Sequence, residues 1–179
     1  MRKRIAFVAV LVFGGAFALA AFASYGVADS GKGKNNKGSV QSNRMSSYQE
    51  VPSLSTSGKG KFEAKIKGQT IEYKLTYSGL SSAASVAHIH FGQIGVSGGI
   101  AAFLCGGGGK PACPASGTVT GTIVASDVIG PASQGIAAGE IAELIAAMRA
   151  GVTYANVHTA NFGNGEIRGQ IKPGNGGDD

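Results

Sequence analysis

The feature that most restricts how this chain can fold is a strict two-residue period. From Lys61 to Lys67, Phe62, Ala64 and Ile66 alternate with Lys61, Glu63, Lys65 and Lys67. From Thr70 to Tyr77, Ile71, Tyr73, Leu75 and Tyr77 alternate with Glu72, Lys74 and Thr76. Successive side chains of a strand point to opposite faces, so each segment has one apolar and one polar face. That pattern belongs to antiparallel strands with one face on a core and the other in water. Lys67-Gly68-Gln69 between them closes a hairpin. Further strands are predicted over 86–91, 100–104, 117–124, 153–159 and 165–171. Several short strands with Gly-rich turns predict a mainly β fold, an antiparallel, Greek-key-like sandwich or barrel.

One segment departs from the period. Over 139–150 (GEIAELIAAMRA), Ile141, Leu144, Ile145 and Met148 fall on one helical stripe. Glu140 and Glu143 lie near its start and Arg149 near its end, as the macrodipole prefers, and Gly151 suits a left-handed cap. A single short helix covering an end or face of the sheet is expected, its Met and Leu stripe serving as packing.

The ends of the chain read differently from its middle. Met1-Arg2-Lys3-Arg4 precedes an apolar run from Ile5 to Ala23, with small-x-small patterns at Ala21-Phe22-Ala23 and Gly26-Val27-Ala28. This is the layout of a secretory signal over 1–28, the alternative being an uncleaved N-terminal anchor. Either places the remainder outside the cytoplasm, as a secreted, periplasmic or cell-surface protein touching membrane only through that segment. Residues 29–45, rich in Gly, Lys, Asn and Ser, are expected to form a flexible basic linker. Residues 46–173 are the expected domain and 174–179 a disordered tail. The whole-chain charge of +6 belongs mostly to the signal and linker. Between Met45 and Pro173, nine Lys/Arg oppose seven Asp/Glu, a net of +2, and the chain has no Trp. A domain so near neutrality carries no electrostatic footprint for nucleic acid.

Cys105 and Cys113, the only two cysteines, flank a Gly-rich loop. In an exported chain a disulfide between them is the default. Closing so short a loop is worth roughly 2–3 kcal/mol in the chain-entropy model. The glycines before Lys110 are not a phosphate loop, because Pro111 stands where Ser or Thr is required.

Chemistry is concentrated in three histidines. His88 and His90 share a strand face, opposite Ala87, Ile89 and Phe91, and His158 lies on a second predicted strand with Tyr154 and Asn156 on its face. A hairpin joining 153–159 to 165–171 brings Glu166, Arg168 and Gln170 alongside. Two readings follow. In the first, ranked ahead, His88, His90, Asn156, Glu166 and Arg168 form a buried polar cluster that satisfies its own hydrogen bonds. In the second, His88, His90 and His158 hold copper or zinc, with Asn156, Glu166 and Arg168 around them.

Four segments in order carry a family resemblance: Gln49-Glu50-Val51-Pro52, the run from Val86 to Gly92, the run from Gly151 to Thr159, and the run from Gly165 to Ile171. Together they resemble the CHRD domain, the module named after the animal protein chordin and found in many exported bacterial proteins. The resemblance spans roughly Ser46 to Lys172. It implies an all-β extracellular module, in chordin part of a protein that binds growth factors, with no established enzymatic activity. His88-Ile89-His90-Phe91-Gly92 is also similar to the paired copper ligands of copper-zinc superoxide dismutases, which are Greek-key barrels, and Gly163 to Arg168 is loosely similar to their Gly-rich turn and active-site Arg. Those enzymes need more histidines than the three present here. The expectation is therefore an exported, non-catalytic binding module for an unidentified extracellular protein or envelope component. A three-histidine copper or zinc protein is the alternative, and a dismutase-like redox enzyme the remote one.

Overall fold

The computed structural model describes residues 38–174. The expected signal or anchor, linker residues 29–37 and tail residues 175–179 lie outside the described residues. Eight strands and one helix follow in order: β1 (Ser39–Ser46), β2 (Lys59–Lys67), β3 (Thr70–Ser78), β4 (Ala84–Phe91), β5 (Gly99–Cys105), β6 (Gly117–Ile123), α1 (Ile141–Arg149), β7 (Thr153–Thr159) and β8 (Ile167–Pro173). All strands join one antiparallel sheet in the order β5-β4-β7-β8-β1-β2-β3-β6. The sheet curls into a nearly closed barrel, as the periodicity predicts.

The hairpin forms as read. Lys67 pairs with Thr70 across Gly68-Gln69, and Gly68 supplies the positive φ of +59° that so tight a turn needs. Phe62, Ala64, Ile66, Ile71, Tyr73, Leu75 and Tyr77 are all buried, while Lys61, Lys65, Glu72 and Lys74 stay exposed. The barrel's seam runs between edge strands β5 and β6. It is tied by a bridge from Ala102 to Val128, and by the hydroxyls of Tyr73 and Tyr77, which donate to the carbonyls of Leu104 and Pro114 at 2.6 Å each. Cys105 and Cys113 are bonded at that seam, as expected, with Cα atoms 5.1 Å apart. The helix buries Ile141, Leu144, Ile145, Ala147 and Met148 and packs against β8. Gly151 follows it at φ +72°, donating to Met148.

Two expectations need correction. Residues 39–45, read as linker, form strand β1 instead, between β2 and β8. The segment holds only two apolar residues, Val40 and Met45, but both are wholly buried, and its backbone completes ladders on both sides. Ladder bonds and two anchors outweigh a polar composition, a tertiary effect that propensity does not register. The strand expected from residue 165 begins at Ile167, because Gly165 sits at φ +120° and turns the chain before pairing starts.

Candidate metal centre

Strand adjacency, which the sequence left open, brings the three histidines together. β4 pairs with β7, setting His88 opposite Asn156, His90 opposite Tyr154 and Val86 opposite His158. All three histidines are buried, and one ring nitrogen from each lies within 4.8 Å of the other two. A metal bonded at about 2.0–2.1 Å needs nitrogens nearer about 3.5 Å apart, so the widest of these separations must shorten on binding.

The hydrogen bonds fix which nitrogens carry lone pairs. A carbonyl only accepts, so a ring nitrogen facing one must bear the proton. His90 Nδ1 donates to the Gly98 carbonyl at 3.0 Å, and His158 Nδ1 donates to the Gly163 carbonyl at 3.0 Å. Both rings therefore present an unprotonated Nε2 inward. His158 Nε2 faces His88 Nδ1 at 3.1 Å, so in the metal-free chain His88 donates that bond. Moving its proton to Nε2 frees Nδ1 as a third lone pair. His90 Nε2 is buried with no hydrogen-bond partner among the described residues. Thr153 Oγ1 is the only other such orphan among the described residues, and it is not part of the histidine cluster.

Burial also keeps the rings neutral. Desolvation, with the neighbouring histidines, lowers His88 from 6.5 to about 3. Desolvation lowers His90 to about 4 against the raising effect of its Gly98 bond, with His158 and Arg168 lowering it further. His158 is lowered chiefly by burial. Neutral imidazole is the ligating form.

Aromatic rings wall the cluster. Phe103, opposite His88 on β5, meets it edge-on at 4.6 Å between centroids, and Tyr154 stacks on His90 at 4.8 Å. Arg168 reaches Tyr154 from β8, its guanidinium carbon 3.6 Å from the ring centre, and donates to the Val96 carbonyl at 3.0 Å. Gly98 must be glycine, because a Cβ there would collide with the Phe91 carbonyl. That close approach sets its own carbonyl against His90.

The other predicted residues separate. Asn156 stays near the cluster but donates to Glu50 Oε1 at 2.6 Å and to the Ile167 carbonyl at 3.0 Å, not to a histidine. Arg168 contributes charge and stacking. Glu166 was expected on the face of Arg168, and it is elsewhere. The Gly165 turn directs its wholly buried carboxylate to Ser81 N, Ser81 Oγ and Thr159 Oγ1, each at 2.8 Å. It pins the β3–β4 loop to the β7–β8 turn. The polar cluster expected among His88, His90, Asn156, Glu166 and Arg168 does not close on itself, as His90 Nε2 makes plain.

Sequence reasoning missed Glu50 as a side chain of this neighbourhood. It is buried, and desolvation raises it from 4.5 to about 7 against the lowering pull of Arg168 and Asn156. Its place in Gln49-Glu50-Val51-Pro52 was the available signal. The carbonyls of Gly98 and Gly163 had none beyond being glycine.

A model of the CHRD domain matches residues 42–171, most of the chain. The chain belongs to the CHRD family. The matched region of this CHRD domain holds every strand except the first residues of β1 and the end of β8, together with the three histidines, Glu50 and the disulfide. No curated protein and no solved structure matches the chain.

Proposed function

We propose that this CHRD domain is an exported, non-catalytic binding module whose ligand is one copper or zinc ion held by His88, His90 and His158. The observation that carries the reading is the orphaned, buried Nε2 of His90 within a group of three neutral imidazoles. A self-sufficient polar cluster leaves no such atom, since an unmet buried acceptor costs about 1–3 kcal/mol. Carbonyl acceptors at Gly98 and Gly163 hold two of the rings in the ligating tautomer, the support that bound histidines ordinarily receive from their surroundings. The disulfide supports an oxidising, extracytoplasmic setting. Among the described residues no helix is long and apolar enough to cross a membrane.

Metal analysis of untagged protein, followed by Cu and Zn titration, tests this reading. The expected result is one equivalent per chain, lost in His88→Ala, His90→Ala and His158→Ala. Wild-type protein that takes up no metal at micromolar concentration rejects it.

A second surface favours an additional protein partner. A cleft of about 390 Å³ beside the cluster is lined by Glu50, Arg168 and Gln170 and rimmed by Tyr48 and Ile94, which are 69% and 70% exposed. Large apolar side chains around a charged floor suit a protein contact, the role that CHRD membership suggests.

A further inference from the structure

We propose that the three-histidine site is selective for a monovalent ion, Cu(I), over divalent Zn(II). This rests on the metal-binding reading above and concerns which ion the site takes.

Charge distinguishes the two ions at this site. Among the described residues the cluster of potential ligands consists of His88, His90 and His158, with no carboxylate and no thiolate. Among the described residues no carboxylate joins the rings as a ligand. The two carbonyls that orient the rings are neutral, and the walls are Phe103 and Tyr154. The nearby formal charge is a cation, Arg168, stacked on the Tyr154 ring that itself stacks on His90. Of the two buried carboxylates in this half of the barrel, Glu166 is committed to Ser81 and Thr159. Glu50 holds the Asn156 amide and faces the cleft with Arg168.

Desolvating an ion costs free energy as the square of its charge, so a divalent ion costs roughly fourfold more than a monovalent ion of similar size. The attraction of imidazole dipoles grows only linearly with that charge. Three neutral ligands in a buried site with no anionic ligand therefore shift the balance toward the lower charge. Repulsion from Arg168 acts twice as strongly on the divalent ion. Three-histidine zinc sites ordinarily complete their shell with water or hydroxide at an open fourth position. Here all three histidines are buried residues, and His88 and His90 are backed by aromatic rings. Cu(I) needs neither a fourth ligand nor an accompanying anion, and three nitrogens converging from β4 and β7 suit it.

The test is competition on the full chain, untagged. Cu(I) affinity is measured anaerobically against bicinchoninate, and Zn(II) affinity against a chromophoric chelator, with His90→Phe as the control that locates both at this site. Cu(I) is expected to bind at one equivalent at least about 100-fold more tightly than Zn(II), with both lost in the control. Zn(II) binding as tightly as Cu(I), or more so, overturns the charge argument while leaving the metal site in place. Binding of neither ion overturns both this inference and the reading on which it rests.

Discussion

The barrel has two kinds of strand. β2 and β3 alternate cleanly, each apolar residue buried and the charged residues between them left at or near the surface. β7, on the far side of β8 and β1, is buried at all seven positions, Tyr154, Asn156 and His158 included. The difference is what lies over the second face. On β2 and β3 it meets water, so lysines and glutamates cover it at little free-energy cost. On β7 it is covered by the segments around Glu50 and Gln93–Gly98, through Asn156, Tyr154 and the neighbouring Arg168 and Gln170. Polar groups there must find partners inside the protein. A ring nitrogen that finds none is therefore informative on β4 or β7 and would mean nothing on β2.

The largest expected effect belongs to the alternating half. Phe62→Ala, at a wholly buried position, should cost about 3–5 kcal/mol by urea denaturation. Lys74→Ala on the neighbouring strand, with an exposed side chain, should change stability by no more than about 0.5 kcal/mol. Equal effects at the two positions would break the contrast. Next comes Glu166→Gln, which keeps the shape but trades a carboxylate accepting three hydrogen bonds for an amide that cannot accept them all. A loss of about 1–3 kcal/mol is expected, with metal stoichiometry unchanged because the residue lies apart from the histidines. Loss of metal with no loss of stability would return Glu166 to the site.

The two halves were also unequally legible from sequence. Phe62 to Tyr77 could be read residue by residue, because one wet face writes itself as alternation. So could the helix over Ile141–Arg149, whose stripe faces a single core. The convergence of His88, His90 and His158 did not follow from alternation alone, since it depends on β4 lying beside β7, a pairing across some 65 residues of chain. Strand β1 escaped because two apolar anchors, Val40 and Met45, are too few to show a period. Glu166 was misplaced for a local reason: extrapolating strand alternation through Gly165 ignores a residue at φ +120°. Glycine at the start of a predicted strand is the signal that should have stopped the extrapolation.

Acid and base should act on the buried polar half in opposite senses. His88 and His90 are held near 3 and 4 in the folded chain against 6.5 when exposed. Between those values the unfolded chain binds protons that the folded one refuses, so stability is lost as pH falls below about 6.5. Glu50 is raised from 4.5 to about 7. Its contribution is complete below 4.5 and is lost as pH rises through about 7. Chemical denaturation across pH 4–8 should show a maximum, and Glu50→Gln should flatten the alkaline limb and steepen the acid limb, where Glu50 opposes the histidines between about pH 4.5 and 6.5. Because the slopes oppose each other up to about pH 6.5 and only that of Glu50 remains from there to about 7, the net change between pH 6 and 7 should be smaller than either substitution effect above. A stability that rises steadily toward pH 4 would show that the histidines are not buried in neutral form.

Among the buried positions, the smallest stability effect should come from the residue that matters most for binding. His90→Phe keeps the ring that stacks on Tyr154 and removes the orphaned Nε2. It also removes the donor to Gly98, whose carbonyl then relies on water or on a small loop adjustment. The gain and the loss are each of the order of one hydrogen bond, about 1 kcal/mol, and have opposite sign. The metal-free variant should therefore unfold within about 1 kcal/mol of wild type. Wild type should gain stability from saturating copper by mass action, whereas the variant should gain none. A metal-free loss of about 3 kcal/mol or more would mean that His90 is a satisfied structural residue whose partner has been misjudged. The second face of β4 and β7 would then be polar for packing alone, and the contrast with β2 and β3 would carry no functional meaning. Near-equal metal-free stabilities with metal protection confined to wild type would mean that the buried polar face is maintained for what it binds.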